Sequence, residues 1–290
     1  MKKSLGHLPK YKKEELKEIV NIIRTVVKKK AEMIILFGSY ARGDWVEDIY
    51  TEGHITYEYK SDFDILVVVK TRTFANSENV WRKIEDLFEK STVVKTRVSL
   101  IVHDIDSVNR MLAKGQYFFS DIKKDGVYLY NSGKFKLARR RKLKPLERQQ
   151  SAQKDYDHWF NSAGEFLEFF QIATDKRYLH KAAFELHQAT ERYLAALLLV
   201  FTGYKPKTHD LKELVQSASN QDPAVLTVFP KTDKLEKKRF SLLRRAYIDA
   251  RYDMENFKVT REDLQWLGER VRKLRDITEK VCRKKISSFV

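Results

Sequence analysis

Two short apolar runs, each with a polar boundary at one end, constrain the fold of this chain more than any other feature. The first run, residues 33–37, ends at Gly38, and the second, residues 65–69, follows Asp62 and Asp64. Runs of this length with such boundaries are typical of buried strands. Because alternate residues of a strand face the same side, the two aspartates should project together. The pattern predicts an α/β unit with two carboxylates at one end of a strand.

These residue types suit a nucleotide with its metal ion. Two neighbouring carboxylates repel each other, and a divalent cation such as Mg²⁺ relieves the repulsion while it also binds phosphate oxygens. Gly38 lets a ligand approach the backbone closely, and the Ser39 hydroxyl with the amides of a following helix can hold a phosphate. Arg42 is a further candidate phosphate partner. The structural alternative is a tight turn at Gly38 and a solvated strand entry at the aspartates.

Residues 37–43, Phe-Gly-Ser-Tyr-Ala-Arg-Gly, followed by residues 61–65, Ser-Asp-Phe-Asp-Ile, resemble the signature of the minimal nucleotidyltransferases of the DNA polymerase beta superfamily. The resemblance implies transfer of a nucleoside monophosphate from a nucleoside triphosphate, with ATP as the first choice and Mg²⁺ as the cofactor. The residues that it assigns to the site are Asp62 and Asp64 for the metal and catalysis, and Gly38, Ser39 and Arg42 for the nucleotide.

The chain departs from the family pattern at two places. Residues 44–60 lengthen the gap before the acidic pair, and the alternating segment 55–59 predicts a hairpin over the site. The family also places a third carboxylate on a later strand, where this chain has Ser99. Either Asp104 or Asp106 compensates for this residue, or the unit binds nucleotide with little turnover.

The positive charge of the chain is densest in one segment. The formal net charge is +17, and residues 131–150 contain eight Lys or Arg against one Glu. Such a segment is either a solvated basic linker or a contact site for RNA or another polyanion.

Composition also bounds the location of the protein. A single cysteine, Cys282, excludes an internal disulfide framework and fits a reducing compartment. The longest apolar run, residues 193–201, is too short to span a bilayer, and no signal peptide is evident. We therefore expect a cytoplasmic protein without a membrane segment.

Strand-like runs end near Pro145, and helical patterns continue to the C-terminus. Three parts are therefore predicted. Residues 1–130 form a nucleotidyltransferase domain with a small mixed sheet and helices on one side. Residues 131–149 form a basic linker, and residues 150–290 form an all-α bundle of about five helices.

Residues 182–194 and 204–211 resemble the HEPN family of helical domains, and the resemblance covers most of residues 150–283. HEPN domains are often coupled to minimal nucleotidyltransferases, so the two resemblances support each other. Many are ribonucleases that use an Arg followed four to six residues later by a His. Arg251 matches that arginine, but residues 252–258 contain no histidine. The resemblance therefore implies no ribonuclease activity of the ordinary HEPN kind.

Two histidines, His187 and His209, complete the candidate residues of this half. His187 and Glu191 are one helical turn apart, and we favour a pair satisfied inside the core over a metal site. His209 precedes Asp210, which is a predicted helix cap. Together with Lys205, His209 is also a candidate contact for a nucleotide.

Three functional hypotheses result. The first is a nucleotidyltransferase that acts on an unidentified hydroxyl of a small molecule, a protein tyrosine or an RNA end. The second is a nucleotide- or RNA-binding regulatory module of the toxin–antitoxin kind with a decayed catalytic site. The third is modification of a tyrosine within the chain itself, with Tyr252 as the candidate. Because HEPN helices commonly pair, a homodimer is expected.

Overall fold

The computed structural model describes residues 4–52 and 55–290, and the side chains outside residues 48–60. The chain divides into two compact units, Met1–Lys142 and Leu143–Val290. Within the described part of the chain, no helix has the length and apolar character needed to cross a membrane.

The first unit mixes helices and strands. Its elements in chain order are α1 (Lys10–Val27), β1 (Ala31–Phe37), α2 (Gly38–Arg42), β2 (Glu47–Glu52), β3 (Ile55–Lys60), β4 (Phe63–Val69), α3 (Arg72–Ala75), α4 (Glu78–Lys90), β5 (Val98–Asp104), α5 (Ile105–Ala113), α6 (Tyr117–Asp125) and β6 (Val127–Asn131). Strands β2 and β3 pair as the predicted antiparallel hairpin, whose turn at residue 53 lies outside the described residues.

Four of these strands form one mixed sheet in the order β5-β4-β1-β6. Strand β1 is antiparallel to β4 and β6, whereas β4 and β5 are parallel. This confirms the predicted fold class of the first half. The site end of the sheet is the end at which β1 finishes and β4 begins, because these two strands run in opposite directions.

Helices cover both faces of the sheet, so the prediction of helices on one side was wrong. Ile34 and Ile65 face the core formed with α1 and α4. On the opposite face, Leu66 is also buried, and the His103 ring contacts Phe119 of α6 with ring centroids 5.3 Å apart. The apolar runs lack polar alternation for this reason, since a strand that is buried on both faces is apolar throughout.

A buried carboxylate fixes the segment that leads into β5. Glu15 of α1 is 4% exposed, and its Oε2 accepts hydrogen bonds from the backbone amides of Lys95 at 2.8 Å and Thr96 at 2.6 Å. The neighbouring Lys12 is equally buried and donates to the Thr96 hydroxyl. These bonds set the position of Arg97, the next residue, at the site end of the sheet.

The basic segment that follows β6 is fastened to the first unit as far as Arg141. The Lys123 ammonium of α6 donates to the carbonyl oxygen of Ala138 at 2.6 Å. The Asn109 side chain of α5 accepts from the Ala138 amide at 2.7 Å, and the Arg141 amide donates to the carbonyl of Leu112 at 3.0 Å. Hydrogen bonds to its backbone thus hold this stretch against the first unit.

The second unit is helical throughout. Its helices are α7 (Pro145–Asp175), α8 (Leu179–Thr202), α9 (Leu211–Ser219), α10 (Lys234–Arg245), α11 (Asp249–Tyr252) and α12 (Arg261–Ser287). Helix α8 is buried along most of its length, as its apolar sequence predicts for a central helix. The helix predicted over residues 233–254 is instead broken between α10 and α11. The break was not visible in the sequence because Ala246 and Ala250, both buried, keep helical spacing across it.

Candidate functional site

The glycine and the acidic pair of the first unit meet at the site end of the sheet. Strand pairing places Phe37 opposite Asp64. Gly38 follows with a φ of +71°, which glycine adopts without strain. A Cβ on Gly38 would lie 2.9 Å from the Cγ of Asp64, and closer still to its Oδ2. The Asp64 carboxylate therefore fills the space that any side chain at Gly38 would need.

The two aspartates form an acidic pair that the protein neutralises only in part. Asp62 is 9% exposed, and Asp64 is half-buried. Burial raises the pKa of Asp64 to about 7, the charge of Asp62 adds to the rise, and Arg42 opposes it. Burial also raises the pKa of Asp62, against the charge of Arg97, whose Nε lies 4.0 Å from Asp62 Oδ2. Such a pair suits a cationic ligand.

Strand β5 brings a serine to the position at which a third carboxylate is expected. The parallel register places Ser99 beside Asp64 and Asp104 beside Val69. Asp104 is therefore five positions along the strand from the pair, or about 16 Å at 3.3 Å per residue. It caps α5, and Asp106 lies beyond it in the first turn of that helix. Of the two alternatives, compensation for Ser99 by Asp104 or Asp106 is ruled out by this geometry.

Helix α2 carries the other two predicted nucleotide contacts. It is a single turn, and the residue after it is Gly43, whose amide donates to the Ser39 carbonyl at 2.8 Å. At its last residue, Arg42 Nε lies 3.0 Å from Asp44 Oδ2 in an exposed pair. The positive charge of Arg42 is near enough to oppose the rise in the pKa of Asp64. Arg42 thus lies close to Asp64 and Ser39 directly follows Gly38, and contact of either residue with a nucleotide stays a prediction.

Comparisons with known proteins agree with both halves of this architecture. A family model described as the HEPN domain matches residues 156–281. In the N-terminal region, two proteins of Methanocaldococcus jannaschii, each named "Putative protein adenylyltransferase", are similar to the chain. The first is 33% identical over 92 residues, which are 29% of this chain and 92% of that protein. The N-terminal region of the chain belongs to the family of these relatives, and it is fused to a HEPN domain.

The second relative is 42% identical over 57 residues, which are 20% of this chain and 46% of that protein. The nucleotidyltransferase resemblance is thus confirmed for the first half and the HEPN resemblance for the second.

Two different sets of contacts hold the candidate histidines of the helical unit. His187 is 0% exposed, and its Nδ1 donates to the carbonyl oxygen of Leu243 at 3.0 Å. His209 Nδ1 lies 2.8 Å from Glu191 Oε2, and Lys205 Nζ lies 3.1 Å from Glu191 Oε1. His187 Nε2 is 3.8 Å from Glu191, which is too long for a hydrogen bond. The Leu243 carbonyl thus satisfies one ring nitrogen of His187, but its buried Nε2 has no hydrogen-bond partner among the described residues, so the satisfied pair stays a prediction.

Electrostatics in this cluster follow from burial and pairing. Burial lowers the pKa of His187 and keeps its ring neutral. Burial would raise the pKa of Glu191, but the hydrogen bond with His209 and the charge of Lys205 lower it overall. In the described part of the chain, no three or more His, Cys, Asp or Glu residues are grouped as a metal site. Glu191 thus pairs with His209 and Lys205, and the choice of a core pair over a metal site stays a prediction.

Tyr247 connects these histidines with Arg251. Its ring stacks on His209 at 4.3 Å and on His187 at 5.3 Å between ring centroids. Arg251 Nε donates to the Tyr247 carbonyl at 2.7 Å, and its guanidinium lies 4.7 Å from the Tyr247 ring centroid. The fold thus brings the three predicted HEPN residues together around one tyrosine that the sequence pattern did not single out.

His180 is a second residue that the sequence reasoning missed. It lies in the first turn of α8, and its Nε2 donates to the carbonyl oxygen of Phe257 at 3.0 Å. One turn later, Phe184 packs under the Arg251 guanidinium at 5.0 Å from the ring centroid. A histidine from α8 thus lies against residues 252–258, which contain none of their own. No spacing rule could reveal it, because the two segments are far apart in sequence.

Proposed function

We propose that the N-terminal unit transfers a nucleoside monophosphate from a nucleoside triphosphate, with ATP as the first choice, to a hydroxyl acceptor. The observation that carries the proposal is the close packing of the Asp64 carboxylate on Gly38, with Asp62 near enough for its charge to raise the pKa of Asp64. The glycine backbone allows the phosphates to approach closely, and the two carboxylates can bind the metal ion that accompanies them. The names of the two relatives support adenylate as the transferred group.

The donor set at the site fits a divalent cation. Asp62 and Asp64 offer carboxylate oxygens, and the Arg97 Nε at 4.0 Å leaves Asp62 without a short ion pair from that residue. Mg²⁺ commonly takes one or two carboxylates together with phosphate oxygens and water, so two aspartates are sufficient. When bound, the cation would neutralise charge on the triphosphate.

The residues of the chain would act by positioning and by charge. The bare backbone at Gly38 and the hydroxyl of Ser39 would receive the triphosphate, and Arg42 would donate to its oxygens. The acceptor oxygen attacks the α-phosphorus, the bond from that phosphorus to the bridging oxygen breaks, and pyrophosphate leaves. The hydroxyl proton passes to water, because Ser99 offers no carboxylate to receive it. Orientation of the two reactants supplies most of the acceleration.

The test is intact mass spectrometry after incubation with ATP and Mg²⁺, with pyrophosphate release followed in the same reaction. Asp62→Asn and Asp64→Asn remove one charge each, and Glu89→Gln on the exposed face of α4 is the matched control. We expect an adduct or pyrophosphate release in the wild type and the control, and a loss of at least a hundredfold in both aspartate variants. Turnover that survives both substitutions would overturn the proposal.

A reaction without its acceptor needs a separate readout. If neither an adduct nor pyrophosphate is formed, ATP binding is titrated calorimetrically with and without Mg²⁺. Tight binding that needs Mg²⁺, Asp62 and Asp64 is compatible both with the transferase proposal and with the second candidate function below. Absence of binding contradicts the transferase proposal.

The second candidate function is a nucleotide- or RNA-binding regulatory module with a decayed catalytic site. Ser99 beside Asp64 favours it, because the site then lacks a carboxylate to accept the proton of the acceptor. The basic segment from Lys134 to Lys144 would supply the RNA contact through counterion release. This module would bind triphosphate without turnover. It would lose RNA affinity when Arg139 and Lys142 are changed to Glu.

A further inference from the structure

The site end of strands β4 and β5 presents four polar side chains on one face. Asp64 pairs with Ser99 in the parallel register, and the Phe63 amide donates to the Arg97 carbonyl at 2.8 Å. Because side chains alternate, Asp62 and Asp64 share a face of β4, and Arg97 and Ser99 share the matching face of the neighbouring chain. Arg97 therefore stands beside Asp62, and Ser99 stands beside Asp64.

Arg97 is positioned by its backbone and only loosely held by its side chain. The Glu15 carboxylate fixes the two preceding amides, and β4 fixes the Arg97 carbonyl. The guanidinium is different, because its side chain is 44% exposed and its Nε is 4.0 Å from Asp62 Oδ2. That distance is too long for a charge-assisted hydrogen bond. The guanidinium can therefore bind an arriving anion without the loss of a short bond to Asp62.

The charges on this face limit how many cations it can hold. Three carboxylates at these positions would suit two divalent cations. Among the residues whose side chains the structure describes, the four positions of this face carry two carboxylates and one guanidinium, and Ser99 adds no charge. A second divalent cation next to Asp62 would be repelled by Arg97, and it would have no carboxylate on β5 as a ligand. Arg97 already supplies a positive charge in that place, and its planar fork matches two phosphate oxygens.

We propose that this site binds one divalent cation per triphosphate rather than two, and that Arg97 binds a phosphate group in place of the second cation. The inference rests on the proposed function, because it concerns the same triphosphate. It makes Arg97 a substrate-binding residue and Ser99 the residue that sets the number of cations.

The number of cations is measured directly with Mn²⁺. Free Mn²⁺ is counted by electron paramagnetic resonance during titration of the full chain, saturated with an ATP analogue whose α,β-bridge is a methylene group. Analogue alone is titrated in parallel. We expect one bound Mn²⁺ per chain–analogue complex in the wild type and two in Ser99→Asp. Ser99→Asn, similar in size but uncharged, is the matched control and should stay at one.

Two outcomes of this titration separate the inference from the proposed function. Two Mn²⁺ in the wild type, or one in a folded Ser99→Asp variant, overturns the inference and leaves the transferase proposal in place. No Mn²⁺ bound through Asp62 and Asp64 contradicts both proposals. Thermal unfolding of Ser99→Asp shows whether the variant is folded.

Substitution of Arg97 tests the other half of the inference without a change at Ser99. Arg97→Gln should weaken binding of the analogue about tenfold or more, which is the effect of one lost charge-assisted hydrogen bond. Mn²⁺ binding in the absence of the analogue should instead tighten, because a neighbouring positive charge is removed. Arg97→Lys keeps the positive charge but loses the planar guanidinium, so its affinity for the analogue should lie between those of the wild type and Arg97→Gln. Unchanged affinity for the analogue in Arg97→Gln overturns the role of Arg97.

Discussion

Gly38 and Asp64 are packed so closely that a Cβ on the glycine would lie 2.9 Å from the carboxylate carbon of the aspartate. The two residues belong to different strands, and the antiparallel pairing of β1 with β4 brings them together. The Gly-Ser turn and the Asp-x-Asp pair are therefore one geometric unit. A side chain at position 38 would displace the Asp64 carboxylate from its present place.

Gly38→Ala is expected to destabilise the first unit and to abolish triphosphate binding. Its φ of +71° costs an L-residue about 1–2 kcal/mol. The overlap of the new Cβ with Asp64 adds the cost of moving that side chain, which we place at about 1–3 kcal/mol. Chemical denaturation and ATP titration measure the two effects.

Gly133→Ala is the matched control for that experiment. Gly133 has nearly the same φ of +76°, but no atom lies within 4 Å of the position of its Cβ. It should therefore show the backbone cost alone and bind triphosphate normally. Equal destabilisation by the two substitutions would mean that the contact with Asp64 contributes nothing.

Asp64→Asn is expected to stabilise the metal-free protein more at pH 8 than at pH 5. The folded-state pKa of Asp64 is about 7, above the value of about 4 for an unfolded aspartate. The folded state therefore loses stability as the pH rises from about 4 to about 7, while the aspartate becomes charged in a buried place. The asparagine does not titrate, so it avoids this loss. Thermal unfolding with a chelator present, at both pH values, measures the difference.

Glu89→Gln serves as the control for this pH series, because the residue is exposed on α4. Its effect on the melting temperature should be small and similar at pH 5 and pH 8. If Asp64→Asn also raises the melting temperature equally at pH 5 and pH 8, the pKa of Asp64 is not raised in the folded state as proposed.

The sequence predicted the buried strands because these depend on apolar runs and their ends, whereas the resemblance to the nucleotidyltransferases assigned Gly38 and Asp64 to one site. Residues 33–37 and 65–69 are apolar throughout, and such runs leave few alternatives to buried strands. The same feature carried information that the prediction did not use. An apolar run without alternation indicates burial on both faces, and helices indeed cover both.

Tertiary contacts explain what the sequence could not give. The segment after β6 was indistinguishable from a free linker until Asn109 and Lys123 were seen to bond its backbone. In the helical unit, Tyr247 and His180 contact residues that are distant from them in the sequence, namely His209 and Phe257. Helical periodicity predicts which face of a helix is buried, but it does not predict which polar residue of another helix lies opposite that face.

Glu191→Gln is expected to lower the stability of the helical unit at neutral pH by about 1–3 kcal/mol, since charge-assisted bonds to His209 and Lys205 are weakened. The pKa of Glu191 is lowered in the folded state by these partners, although burial opposes them. Its contribution is therefore present above the pKa of an unfolded glutamate, about 4, and is lost as the pH falls through the lower folded value. Wild type and variant should approach each other in stability near pH 3.

Denaturant unfolding at pH 7 and pH 3 makes this comparison, and Glu168→Gln on the exposed side of α7 is the control. The control should change stability little at either pH. A deficit in Glu191→Gln that persists unchanged at pH 3 would show that lost packing, and not the carboxylate charge, explains it.

Tyr252→Phe tests whether the chain modifies itself. The Tyr252 side chain is 76% exposed at the end of α11, so its hydroxyl is open to a second reactant. If Tyr252 is the acceptor, incubation with ATP and Mg²⁺ adds one nucleoside monophosphate to the wild type and none to Tyr252→Phe. Tyr178→Phe is the matched control, because Tyr178 is 61% exposed in the same unit. Intact mass followed by peptide mapping locates the adduct. An adduct that remains on Tyr252→Phe, or that disappears from Tyr178→Phe, assigns the acceptor elsewhere, and an adduct that survives Asp62→Asn would not come from the proposed site.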